Sequence, residues 1–169
     1  AARKYKLERR EVDELSLCRH EQYFKAQASG FLKKILVPFE VLDVQGRVMG
    51  VVDSDAGTVH PTLRALRAMK EIDTCVTSGT QTHPSDGMAC LLVTTREKAR
   101  ELSRRPEIDI QFIAKTEVRT SPSLMPEAPA IAVKELLRRT GLAMKDISVV
   151  KSHNPFAIND AVFAKELIY

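Results

Sequence analysis

A histidine, two asparagines and an aspartate crowd into one short stretch, Ser152-His153-Asn154-Pro155-Phe156-Ala157-Ile158-Asn159-Asp160. An imidazole can act as acid, base or N–H donor near neutral pH, and donation to a developing oxyanion is among its strongest uses. The stretch follows a β-branched run, Ile147-Ser148-Val149-Val150, and precedes a helix-like segment from Ala161 to Leu167. In α/β sheets, side chains that do chemistry collect in loops at the carboxyl ends of strands. Asn, Asp and Pro are also ordinary turn residues, so local pattern leaves a polar turn and a site both open. Asn159 and Asp160 fit the N-cap of the following helix better than a catalytic role.

Other chemistries find less support. Cys18, Cys75 and Cys90 are too few and too scattered for a disulfide framework or a CxxC metal site. A nucleophilic thiol needs a partner base or a lowered pKa. Cys18 falls on a helix face, Cys90 in an apolar run expected to be a buried strand, and Cys75 is expected to be the most exposed. Four scattered histidines with no ligand spacing predict no metal. The net charge of +4 and pI near 9.0 suit anionic ligands such as nucleotide phosphates. No aromatic interleaving or recognition module points to nucleic acid, so none is expected as a partner.

The elements that must position these residues read as mixed α/β. The chain has 169 residues, which suits one domain, and its hydrophobic share of 44% is ordinary for a globular protein. No apolar run approaches the roughly 20 residues needed to span a bilayer, so no membrane partner is expected. The basic start, Ala1 to Lys6, has no apolar run after it and is not read as a signal peptide, which makes the cytoplasm the default compartment. Residues 8–28 are predicted helical, with Val12, Leu15 and Cys18 on one face and Gly30 as the stop. Residues 35–42 and 47–52 are predicted to form a loose hairpin, with Pro38 marking an edge or irregular strand. A short helix over 62–70 is followed by a Ser/Thr/Gly/Pro loop at 77–87. Strands are predicted at 88–93, 108–115 and 147–151. Helices are predicted at 94–103, opened by a Thr94/Glu97 capping box, at 130–140 with Gly141 as the stop, and at 158–167. The run at 88–93 is apolar on both faces yet has few partner strands here, which predicts a piece of something larger.

In order and spacing these elements resemble the middle of a thiolase. Ala2 through Gly30 and Ile35-Leu36-Val37-Pro38 resemble the helix and E-I-V-P strand of the thiolase loop domain. Thr62-Leu63 to Met69 resembles its T-L-x-x-L segment. Ser78 to Ala89 resembles the A-G-N-A-S-x-x-x-D-G-A-A turn and strand. Pro122 to Pro129 resembles the D-P-x-x-M-x-x-x-P loop, and residues 130–147 the A-L-x-x-A-G-L-x-x-x-D-I run. His153-Asn154-Pro155-Phe156-Ala157 stands where many thiolases have Asn-Glu-Ala-Phe-Ala. It is similar to a branch carrying His-Asn-Pro-Phe and to the His-Asp-Cys-Phe form of sterol-carrier-type thiolases.

The resemblance implies an α/β fold with a thiolase-like mixed sheet and helices on both faces, incomplete here, plus part of the inserted loop domain. It divides the chain into 1–84 (loop domain), 85–105 (end of the N-terminal half) and 106–169 (start of the C-terminal half). It implies a Claisen acyltransferase that makes or cleaves 3-ketoacyl-CoA thioesters through an acyl-cysteine. No prosthetic group is implied, coenzyme A thioesters being the substrates. The family's nucleophilic Cys lies upstream of the matched residues, and its Gly-His-Pro histidine and second Cys lie downstream. The isolated chain is therefore expected to be inactive. The alternative is a non-catalytic CoA-binding or assembly subunit of a thiolase-like complex.

Residue by residue, the resemblance makes His153 a water-positioning or oxyanion-donating group, and Asn154, in place of the family's Glu, an orienter of His153 or a water. Thr82 matches a Ser that meets the pantetheine arm. Met125 matches a pocket Met, and Phe156 an aromatic of the acyl and pantetheine tunnel, with a core role as the equal alternative. The family's nucleotide-binding Arg and Ser fall at Thr58 and Ala65, leaving His60, Arg64 or Arg67 as substitutes. A homodimer or homotetramer is implied, and a small accessory protein is a further possible partner.

Overall fold

The computed structural model describes residues 1–55 and 57–168. Helix α1 (Arg9–Ala28) is its axis. Its inward face is not the apolar row that spacing suggests. Val12 is fully buried, but so are Asp13 and Ser16, while Leu15 is half-buried and Cys18 exposed. A buried carboxylate persists only when it is paired and hydrogen-bonded. Arg9, one turn earlier, supplies the pair, its Nε donating to Asp13 Oδ1 at 2.8 Å and Oδ2 at 2.9 Å. The same guanidinium donates to the carbonyls of Leu66 at 2.6 Å and Met69 at 3.2 Å. Those carbonyls lie at the C-terminal end of α2 (Leu63–Ala68), where that of Leu66 also accepts from Met69 N–H at 3.1 Å. Thr62 caps the other end by accepting from Ala65 N–H at 3.1 Å.

The core joins the start of the chain, α1, the 72–80 loop and α5 (Ala157–Leu167). Ala2, Leu7, Val12, Cys75, Ile158, Ala161 and Val162 form it. Helix α4 (Ala128–Thr140) packs on α5 and ends at Gly141, whose φ of +73° is the left-handed conformation the predicted stop requires. A 3-10 turn over Pro122–Glu127 leads into α4. Tyr5 donates to Glu166 at 2.6 Å and Lys134 pairs with the same carboxylate, so α4, α5 and the start of the chain meet there.

The hairpin forms, but shorter than predicted. Strands β1 (Phe39–Leu42) and β2 (Val48–Val52) pair antiparallel, Phe39 opposite Val52, with an irregularity at Val41/Leu42. Residues 35–38 stay outside the ladder after a 3-10 turn over Leu32–Lys34, Pro38 having no amide to donate. Asp43 closes the hairpin, accepting from the backbone of Gln45 and Arg47 and from the Arg47 side chain at 2.7 Å.

Three predicted strands differ. Residues 88–93, 108–115 and 147–151 join no sheet among the described residues. Leu91 is 83% exposed and Ile110 91%. A run apolar on both faces needs neighbours on both sides to become a strand, and the described residues do not supply them. Helix α3 (Arg96–Leu102) forms as predicted, but its cap is Thr95, which accepts from Lys98 N–H at 3.3 Å, in place of Thr94. The cap of α5 is Phe156, so Asn159 and Asp160 lie inside the first turn instead of capping it.

Two predictions follow from the packing. Arg9→Ala leaves Asp13 buried and unpaired and lowers unfolding free energy by about 3 kcal/mol or more, as urea denaturation reads. The Arg9→Ala/Asp13→Ala double variant recovers part of that loss, whereas a single variant within about 1 kcal/mol of the wild type would refute the role. The hydrogen bonds from Lys134 and Tyr5 hold Glu166 below its ordinary 4.5. A lowered carboxyl pKa stabilises the fold above the ordinary carboxylate range and ceases to as pH falls through it. The stability gap between wild type and Glu166→Gln is therefore widest near neutral pH and narrows on acidification, and a gap that stays constant contradicts the assignment.

Candidate functional site

The site is a seam between two loops. Thr77 and Thr80 shape the first, with Thr77 N–H donating to Thr80 Oγ1 at 2.9 Å and Thr80 N–H to the Thr77 carbonyl at 3.1 Å. Ser16 on α1 donates to the Gly79 carbonyl at 2.5 Å. A Cβ at Gly79 would lie 2.6 Å from Met69 Sδ and 2.7 Å from Leu66 Cδ2, so a side chain there would have to push these two side chains aside. The second loop, 152–157, is stitched to the first by a short antiparallel pair. Thr82 N–H donates to the Pro155 carbonyl and Ala157 N–H to the Thr80 carbonyl, both at 2.8 Å.

That stitching brings Thr82 alongside Pro155 and leaves both side-chain hydrogen-bonding groups of interest open. His153 and Thr82 are exposed. The Thr82 hydroxyl makes only a long 3.5 Å contact with the His83 carbonyl, and so remains free to bond elsewhere. Asn154 is exposed too but occupied. It accepts from Ser152 Oγ at 2.6 Å and donates to Asp160 Oδ1 at 2.6 Å. Asp160 is in turn held by Arg19 of α1, Nε at 2.8 Å and Nη2 at 2.7 Å. Phe156 is half-buried and packs on the core cluster. Met125 is 43% exposed in the 3-10 turn that packs on α5.

The five residues singled out in the sequence do not share a cavity. An open groove of about 610 Å³ runs between α1 and α5, lined by Glu8, Arg10, Glu14, Leu15 and Asp160 among others. A second, of about 480 Å³, lies against Val93 and residues 112–115. None of the five lines either. Of the suggested phosphate-binding substitutes, His60 stacks on Phe24 with ring centroids 4.4 Å apart and Arg67 pairs with Glu14 at 3.2 Å, while Arg64 is exposed. Among the described residues no group of His, Cys, Asp and Glu could hold a metal, and no helix is long and apolar enough to cross a membrane.

Sequence reasoning missed Arg19 and Asp160 as parts of the site. Asp160 carried a signal in its closeness to His153, but was read as a cap. Arg19 carried none, being 141 residues from its partner. Asn159 was missed in another way. It is buried and its side-chain carbonyl oxygen has no hydrogen-bond partner among the described residues.

The cysteines invert their expected exposure. Cys75 is buried, at φ +62°, and its thiol donates to the Leu7 carbonyl at 3.3 Å, whereas Cys18 and Cys90 are exposed. The turn that pairs Asp73 with Val76 folds Cys75 under the chain start, which no local pattern announced. Burial, with Glu71 nearby, pushes its thiol pKa up.

Comparison with known proteins assigns the chain to a family and a fold. The family described as "Thiolase, N-terminal domain" matches residues 1–97. The chain belongs to the thiolase family. It is 28% identical over 165 residues to a 3-ketoacyl-CoA thiolase of Aliivibrio fischeri, covering 95% of this chain and 42% of that protein. The chain thus spans about 42% of the length of this curated relative. Its fold superposes on the acetyl-CoA acetyltransferase of Bacillus anthracis with a TM-score of 0.84 at 24% identity, over 98% of this chain and 42% of that one. For the dimeric peroxisomal thiolase of Saccharomyces cerevisiae the TM-score is 0.81, also at 24% identity, over 98% and 41%. The α/β thiolase-like fold expected from the sequence is what these likenesses show.

Because thiolate is the reactive form and burial disfavours it, iodoacetamide applied to the native protein at pH 8 labels Cys18 and leaves Cys75 unmodified, as peptide mass mapping shows. Equal labelling of the two would contradict the burial of Cys75.

Proposed function

We propose that the protein carrying this chain is a thiolase-type acyltransferase that makes or cleaves 3-ketoacyl-CoA thioesters. A cysteine outside these residues takes the acyl group from one CoA thioester and releases CoA. The carbanion of a second acyl-CoA then attacks that acyl carbon, or, in the degradative direction, CoA thiolate does. His153 donates an imidazole N–H to the thioester oxygen as enolate charge develops there. The observation that carries this reading is the pair of backbone hydrogen bonds joining 80–82 to 155–157. They tie the loop that carries the exposed His153 imidazole to the turn that carries the exposed Thr82 hydroxyl, in a chain of thiolase fold.

On this reading Thr82 meets the pantetheine arm, and Met125 and Phe156 offer apolar surface to the acyl chain, a task a flexible thioether suits. The division into 1–84, 85–105 and 106–169, a homodimer or homotetramer, and a cytoplasmic location belong to the same proposal. The dimeric state of the yeast relative supports self-association.

The test is thiolysis of acetoacetyl-CoA by CoA in the full-length protein. Loss of an oxyanion donor costs about 100- to 1,000-fold in kcat, and that is the fall expected for His153→Ala. An unchanged kcat in that variant removes His153 from the chemistry. A wild-type protein that binds CoA but turns over no thioester identifies a CoA-binding subunit instead.

A further inference from the structure

Asn154 follows His153 in the loop, and its bonds decide what it can do. A carboxylate only accepts hydrogen bonds, so the 2.6 Å approach to Asp160 Oδ1 requires the amide nitrogen of Asn154 to face it. The amide oxygen then faces Ser152, whose hydroxyl donates at 2.6 Å. Asp160 is anchored, because its second oxygen accepts from Arg19 Nε at 2.8 Å and lies 2.7 Å from the Nη2 of the same guanidinium in an ion pair. Its side chain is only 13% exposed, whereas that of Arg19 is 55% exposed. Charge-assisted bonds of this kind are roughly twice as strong as neutral ones. Turning Asn154 to hold a water or to shuttle a proton would break one of them.

We infer that Arg19, Asp160 and Asn154 form a positioning relay running from α1 into the loop, and that it leaves His153 as the loop's only proton donor to the reaction. This deepens the thiolase reading and rests on it. Asn154 and Asp160 then act as one unit: removing either frees the same stretch, 152–154, to wander from the geometry that aims the imidazole. Arg19 acts through Asp160 by charge and geometry, and a lysine there keeps the charge and one donor.

The relay is tested by steady-state thiolysis of acetoacetyl-CoA with the full-length protein. Asn154→Ala and Asp160→Ala each lower kcat by about 10- to 100-fold, the scale on which an ångström of misplacement acts, with KM little changed. The double variant is no slower than the worse single, since residues in one network are not additive. Arg19→Lys keeps most of the kcat that Arg19→Ala loses. Losses that multiply in the double variant, a kcat for Asp160→Ala within twofold of wild type, or equal losses in both Arg19 variants each overturn the inference. Should Asp160→Ala fail to fold, the Arg19 pair decides alone. Failure of the thiolase reading shows separately, as a wild-type protein that turns over no acetoacetyl-CoA, and failure of the His153 role as activity retained by His153→Ala. Multiplying losses alongside an inactive His153→Ala overturn only the relay.

Discussion

A buried charge that must be answered organises this chain. Asp13 sits inside the molecule on a helix whose apolar content is modest, and only the guanidinium of Arg9 keeps it there. Because that guanidinium also closes the carboxyl end of α2, one side chain settles both the charge and the placement of a neighbouring helix. Further along the same side of α1, Ser16 fixes the Gly79 loop and Arg19 fixes Asp160. The polar residues of α1 thus anchor α2, the Gly79 loop and Asp160, while the apolar core fills in behind them.

This arrangement explains why an exposed loop can have a defined shape. Loops are mobile where their backbone bonds only to water. Here 152–157 is tied by two backbone bonds to a turn that α1 itself holds, and by the Arg19–Asp160–Asn154 chain directly to α1. Substrate-binding groups on a loop need such support, since a group that wanders by an ångström loses much of its effect. His153 and Thr82 are exposed, and among the described residues the Thr82 hydroxyl makes no more than a long contact with the His83 carbonyl.

The apolar segments at 88–93 and 108–115 belong to a different balance. They have the composition of buried strands and the exposure of surface. The likeness to thiolases accounts for this tension: the chain aligns along nearly all its length with about two-fifths of each relative. In a doubly covered sheet a strand is defined by its neighbours as much as by itself.

Periodicity and capping were enough to locate helices α1, α2, α4 and α5, because helices close their own hydrogen bonds within a few residues. The hairpin was equally legible from Asp43 to Gly46, and the order and spacing of motifs along the chain pointed to the family. What sequence alone determined, then, is what short-range chemistry decides: local elements, turn residues, and which loop carries an imidazole. Tertiary structure alone decided which face of α1 turns inward, that Cys75 is buried and Cys90 exposed, and that Asp160 serves Asn154 rather than capping a helix. The burial of Cys75 and the anchoring of Asp160 depend on partners far along the chain, as Leu7 is from Cys75 and Arg19 from Asp160. No residue's neighbours along the chain carry that information, because a side chain's burial and bonds are set by what folds against it.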